Sequence, residues 1–154
     1  MSDGIQKIFA GPLTQVDTTA KETLGTLRRE GAKTYKYVLY SEGTAALTGA
    51  SGDFVSYHGD DGYDDVEVTP DVSDGNGVGA GVLLATVSNG EYCWIQTEGA
   101  ATLSTALTAG ADGNALTVVG AGDRTLDVSA AVTDHVCAVA VDASAKKVLL
   151  TCPK

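Results

Sequence analysis

From Leu24 to the end of the chain, about ten short apolar runs recur every 8–12 residues, each cut off by Gly, Asp, Ser or Pro. This punctuation constrains the fold more than any motif does. Val and Thr favour pleated sheet and Gly supplies turns. With Ala, these residues make up nearly half of the 154. Lys and Glu are sparse, so long amphipathic helices are not expected. With two Phe and one Trp, the core must be built from small aliphatic side chains. The expected fold is all-β: about ten short strands in a small barrel or sandwich, jelly-roll-like or β-tulip-like. A polar, Thr-rich stretch over residues 1–23 reads as an extended N-terminal arm, and residues 24–154 as a single β domain. A chain of this length buries roughly 68–70% of its unfolded surface, enough for a core without disulfides or metal.

Within the arm, Asp17 as a cap and Gly25 as a stop allow a short helix over "DTTAKETLG". "LGTLRR" and "KTYKYVLYS" read as strands joined around Gly31. "DFVSYH" follows a turn at Ser51-Gly52, and "DVEVT" ends at Pro70, as suits the end or edge of a sheet strand. "VGAGVLLATVS" and "EYCWIQT" flank Asn89-Gly90, the strongest short signal for a hairpin with a type I′ turn. In the second of these strands Tyr92, Trp94 and Gln96 share one face, and Cys93, Ile95 and Thr97 the other. "HVCAVAVD" and "KKVLLTC" form a further hairpin through residues 142–146.

The formal charge is −10, and it is unevenly spread: +2 over residues 1–36, −13 over 37–123 and +1 over 124–154. An acidic middle of that length repels phosphate, so nucleic acid is not an expected partner. "MSDGIQKIFAG" has no basic stretch followed by an apolar run, so no secretory leader is expected. No apolar stretch approaches the roughly 20 residues of a membrane helix. Three cysteines without a CxxC pair fit a reduced, cytosolic origin better than secretion.

Candidate chemistry is thin. Cys93 has no neighbouring His. His135 and Cys137 lie two apart on a strand and could offer two zinc ligands, but no further ligands are apparent. The plainer reading is that Cys93, Cys137 and Cys152 are small buried hydrophobes. "HGDDGYDDVEVTPDVSDGNG" suggests calcium, yet the EF-hand pattern fails. Counting from Asp60 puts Asp65 at the sixth position, and counting from Asp71 puts Asn76 there, where Gly is required. "GNGVGA" matches a dinucleotide-loop pattern but follows an acidic turn and runs into β-rich sequence, so its glycines are read as aids to bending or close packing. No cofactor, no metal and no enzymatic activity are expected. A small hydrolase using Cys93 or the acidic loop lacks a partner set.

Three stretches carry a resemblance: "LGTLRREGAKTYKYVLYSEG", "AALTGASGDFVSY" and "VGAGVLLATVSNGEYCWIQTEGAATL". In their style the chain resembles the tailed-bacteriophage capsid decoration (cement) proteins. The resemblance spans about residues 20–154 and is weakest after Ala115. It implies a virion structural protein, made in the bacterial cytoplasm, on the outer surface of an expanded HK97-type icosahedral shell. Its partners would be the major capsid protein and itself, as a homotrimer clamping neighbouring capsomers through multivalent contacts. The charge split suggests that Lys7, Arg28, Arg29, Lys33 and Lys36 face the capsid, while the acidic loop over 60–74 points outward or lines the oligomer rim. Tyr92 and Trp94 are expected in the core or an oligomer interface. The alternative is a carbohydrate- or host-binding β-module of a phage fibre or surface protein, in which Tyr92 and Trp94 stack on sugar rings.

Overall fold

The structure, a computed structural model, describes residues 8, 9, 11–59 and 66–154. Eleven strands and no helix occur among these residues: β1 Val16–Asp17, β2 Leu27–Glu30, β3 Lys33–Tyr40, β4 Phe54–His58, β5 Glu67–Thr69, β6 Gly75–Leu83, β7 Tyr92–Thr102, β8 Ala115–Thr117, β9 Asp127–Val128, β10 Ala138–Asp142 and β11 Lys147–Thr151. The all-β expectation therefore holds. The short helix expected over 17–25 is absent. Bends and turns replace it, with Gly25 at φ +84° and Thr26 N–H bonded back to the Thr23 carbonyl.

The strands pair in the order β2-β3-β5-β4-β6-β7-β11-β10-β8-β9, and a further β3–β7 pairing makes β3, β5, β4, β6 and β7 a ring. All pairings are antiparallel except β3–β5. β2 and β3 are joined by a two-residue turn in which Gly31 takes φ +61°. Asn89-Gly90 does not make the expected two-residue hairpin. Val82 and Leu83 pair with Gln96 and Ile95, leaving an eight-residue connection over 84–91. Gly90 takes φ +79° and Asn89 does not share the positive angle, so a type I′ turn is ruled out. The turn instead brings Glu91 onto Tyr40, whose N–H donates to the Glu91 carbonyl at 2.9 Å.

Alternation divides the core. Val38 and Tyr40 of β3, Val55 and Tyr57 of β4, Val68 of β5 and Cys93 and Ile95 of β7 pack in one cluster. Tyr35, Tyr37 and Trp94 point to the opposite face. A third cluster, Phe54, Val82, Leu116, Leu126, Cys137, Ala138, Val148 and Leu150 among it, fills the space between the ring and the β11-β10-β8 sheet. The glycines of "GNGVGA" and its continuation permit close approach. A Cβ on Gly79 would lie 2.6 Å from Cys137 Sγ, and one on Gly81 would lie 2.2 Å from the Gln96 carbonyl oxygen. Buried Asp53 joins the ring to the second sheet. It pairs with Arg124 at 3.1 Å and accepts from Ser104 Oγ at 2.5 Å and Ala50 N–H at 2.9 Å. A buried carboxylate needs such partners to offset its lost hydration.

Candidate interaction surface

The outer face of β3 and β7 carries the aromatic side chains, and the N-terminal segment lies across it. β1 pairs with β7, Val16 opposite Cys93. Phe9 meets Trp94 edge-to-face at 5.4 Å, Trp94 lies 5.2 Å from Tyr37, and Tyr37 stacks on Tyr92 at 6.3 Å. Trp94 is 4% exposed, packed under Phe9 and Leu13, and Tyr92 is half-buried. Polar contacts fix the segment in place. Tyr37 donates its hydroxyl proton to Asp17 Oδ2 at 2.7 Å and accepts from the Lys21 N–H at 3.2 Å. Burial, with the Asp17 carboxylate adding to it, pushes the Tyr37 phenol up to about 12. The chain's own Phe9 and Leu13 thus cover Trp94, while Tyr92 stays half-buried at the edge of the aromatic face.

The cations expected on a capsid-facing surface separate into three environments. Arg28 is turned inward on its own strand. It donates from Nε and Nη2 to Glu30 Oε1 at 2.9 and 2.5 Å and from Nη1 to the Gly11 carbonyl at 2.8 Å, and its guanidinium sits over Phe9 at 5.3 Å. Its role here is to hold the arm down. Arg29 and Lys33 are exposed at the β2–β3 turn. Lys36 departs from the expectation: it is 2% exposed, with Nζ donating to Tyr57 Oη at 3.0 Å and lying 4.8 Å from that ring's centroid. Its place on the Val38 and Tyr40 face sends it inward, so Lys36 is not available to a partner surface. Lys7, and Asp60, Asp61, Asp64 and Asp65 of the acidic loop, lie outside the described residues.

The thiols are packing groups. Burial pushes the Cys93 thiol up to about 12, Glu91 adding to the shift. The Cys152 thiol, a free thiol that donates to the Cys137 carbonyl at 3.5 Å, is raised as well by its hydrogen bonding to Cys137 and by burial. His135 is exposed while Cys137 is buried, so the two are not brought together as ligands. Among the described residues no three His, Cys, Asp or Glu side chains are grouped to hold a metal ion. Within the described part of the acidic run, Asp71 serves the fold. It accepts from Ser73 Oγ and N–H at 2.6 and 3.0 Å and from Ala45 N–H at 2.9 Å, tying the 71–75 turn to the 43–46 turn.

An open surface remains beside the β2–β3 turn. A groove of about 430 Å³ is bordered by Lys33 and Lys147, with Leu84, Gln96, Ala100 and Val141 among its walls. Gln96 Nε2 donates to the carbonyls of Glu98 and Ala100 at 3.2 and 3.0 Å. Beyond it, Glu98 receives Lys154 Nζ at 2.7 Å and Thr34 Oγ1 at 3.0 Å, and these two donors hold its carboxyl below the ordinary range. Lys147 had no place in the sequence-based set. Strand alternation in "KVLLT" was its signal: Val148 and Leu150 go inward, so Lys147, Leu149 and Thr151 go outward. No helix among the described residues is long and apolar enough to cross a membrane. Comparison with protein-family models, curated proteins and solved structures finds no match for this chain.

Proposed function

We propose that this chain is a capsid decoration protein, which binds the outside of an icosahedral phage shell and stabilises it by bridging neighbouring major capsid subunits as a homotrimer. The observation that carries this reading joins sequence to fold. The three stretches that resemble decoration proteins supply β2 and β3, β4, and most of β6 with β7, hence four of the five ring strands. The likeness therefore lies in the framework rather than in scattered loops. Exposed Arg29 and Lys33 supply positive charge to meet shell carboxylates in a chain of net charge −10. The reading of a sugar-binding module is less well supported, because Trp94 is covered by Phe9 and Leu13.

The test is co-sedimentation of the full chain with expanded, undecorated capsids of the parent phage, alongside light scattering of the free protein. The expected outcome is saturable binding, a scattering mass near three chains, and capsids that withstand higher temperature once decorated. Absence of binding to expanded shells, with glycan binding instead, overturns the reading.

A further inference from the structure

We infer that the outer face of the β7-β11-β10-β8 sheet, with the adjoining groove, is a docking surface for an extended acidic and apolar segment of a partner protein. This rests on the proposed function only in identifying that partner as the capsid shell. The face follows from register. Ala100 of β7 pairs with Leu149 of β11, Leu149 with Val139 of β10, and Val139 with Ala115 of β8. A four-strand apolar row thus crosses the sheet on the side away from the core, whose own row is Val148, Leu150, Ala138, Ala140 and Leu116. Leu149 is 45% exposed and Val141, on the same side, 55%. The groove shares Ala100, Val141 and Lys147 with this face, so the two surfaces are continuous. A contiguous apolar surface of this kind on a soluble domain marks an interaction site more often than scattered single residues do.

The charge around it identifies the occupant. Lys33 and Lys147 border the groove, and neither is in an ion pair among the described residues. Asp142, opposite Lys147 in the hairpin, accepts from Ser144 Oγ at 2.7 Å and Ala145 N–H at 2.9 Å; these bonds, with a smaller share from the Lys147 charge, hold its carboxyl low, and the two side chains form no direct ion pair. Two cations that form no ion pair among the described residues, flanking an apolar strip in a chain of net charge −10, complement a segment whose apolar side chains are interspersed with carboxylates. A second copy of this chain fits less well. A contact between two copies through this face would bring two bodies of net charge −10 together.

The experiment uses the full chain in two arms. In the first, a synthetic extended peptide alternating Leu or Val with Asp or Glu is titrated into the isotopically labelled protein at low salt. Amide shifts are expected to concentrate in residues 98–102, 139–141 and 147–151. The double variant Lys33→Glu with Lys147→Glu is expected to bind about tenfold more weakly while keeping its melting temperature. Lys21→Glu, a single charge reversal on the arm, is expected to bind like wild type. Absent shifts, shifts centred elsewhere, an unaffected double variant, or concentration-dependent self-association through Leu149 would each overturn the inference. In the second arm the same variants are bound to expanded capsids. If the peptide maps to this face but wild-type protein ignores capsids, the docking surface stands and the decoration reading falls. If capsids bind and the double variant binds equally well, the decoration reading stands and the docking surface falls.

Discussion

Cys93 and Trp94 are adjacent in sequence and face opposite ways, and their substitutions separate accordingly. Cys93 fills a small space in the ring cluster and its thiol is held protonated by burial. Cys93→Ala is expected to leave binding intact and to cost far less stability than Trp94→Ala. The latter removes the ring on which Phe9 and Tyr37 pack and is expected to cost about 3–5 kcal/mol in denaturant unfolding. Native Cys93 is expected to resist thiol reagents until the protein unfolds, and rapid native labelling would show this placement to be wrong. Period-2 alternation made this pair readable from ten residues of sequence. Lys36 was readable only in part: alternation puts it on the Val38 and Tyr40 face, but what allows a charge to be buried there was not visible. Its burial depends on the hydroxyl of Tyr57 on another strand, and a lysine between two tyrosines carries no local sign of that partner.

Turns and strands show the same boundary between local and distant information. The β2–β3 and β10–β11 hairpins were legible because partner strands sit next to one another in the chain. Closure of the ring through β3 and β7 was not, because it joins residues 34–39 to residues 92–98. The 71–75 turn provides a test at this scale. Burial of Asp71 raises its pKa, but donation from Ser73, Ala45 and Thr44 outweighs burial and holds the carboxyl below its ordinary value. A carboxyl with a depressed folded-state pKa contributes stability above its unfolded pKa, near 4, and loses it as pH falls toward the folded value. Asp71→Asn places an amide group among donors and is expected to cost about 1–3 kcal/mol at pH 7. The gap between variant and wild type should narrow as pH drops below about 4. Unfolding curves at both pH values check this, and a gap that widens on acidification would contradict the assignment.

At the scale of the whole molecule, β7 is the common member. It pairs with β3 along one stretch, meets β1 and β6, and then pairs with β11 from Glu98 to Thr102. Ring and second sheet therefore share a continuous strand, and Asp53 with Arg124 adds a polar tie between them. Unfolding is expected to be a single cooperative transition, with the amides of residues 93–99 among the last to exchange. An early, separate exchange of β8 to β11 would mean that the two parts open independently. The shared strand also has a mechanical consequence. A pull applied to the β11 side and resisted at the ring runs along β7, loading its flanking hydrogen bonds together in shear rather than one at a time, so the molecule should behave under tension as a stiff tie with no internal joint.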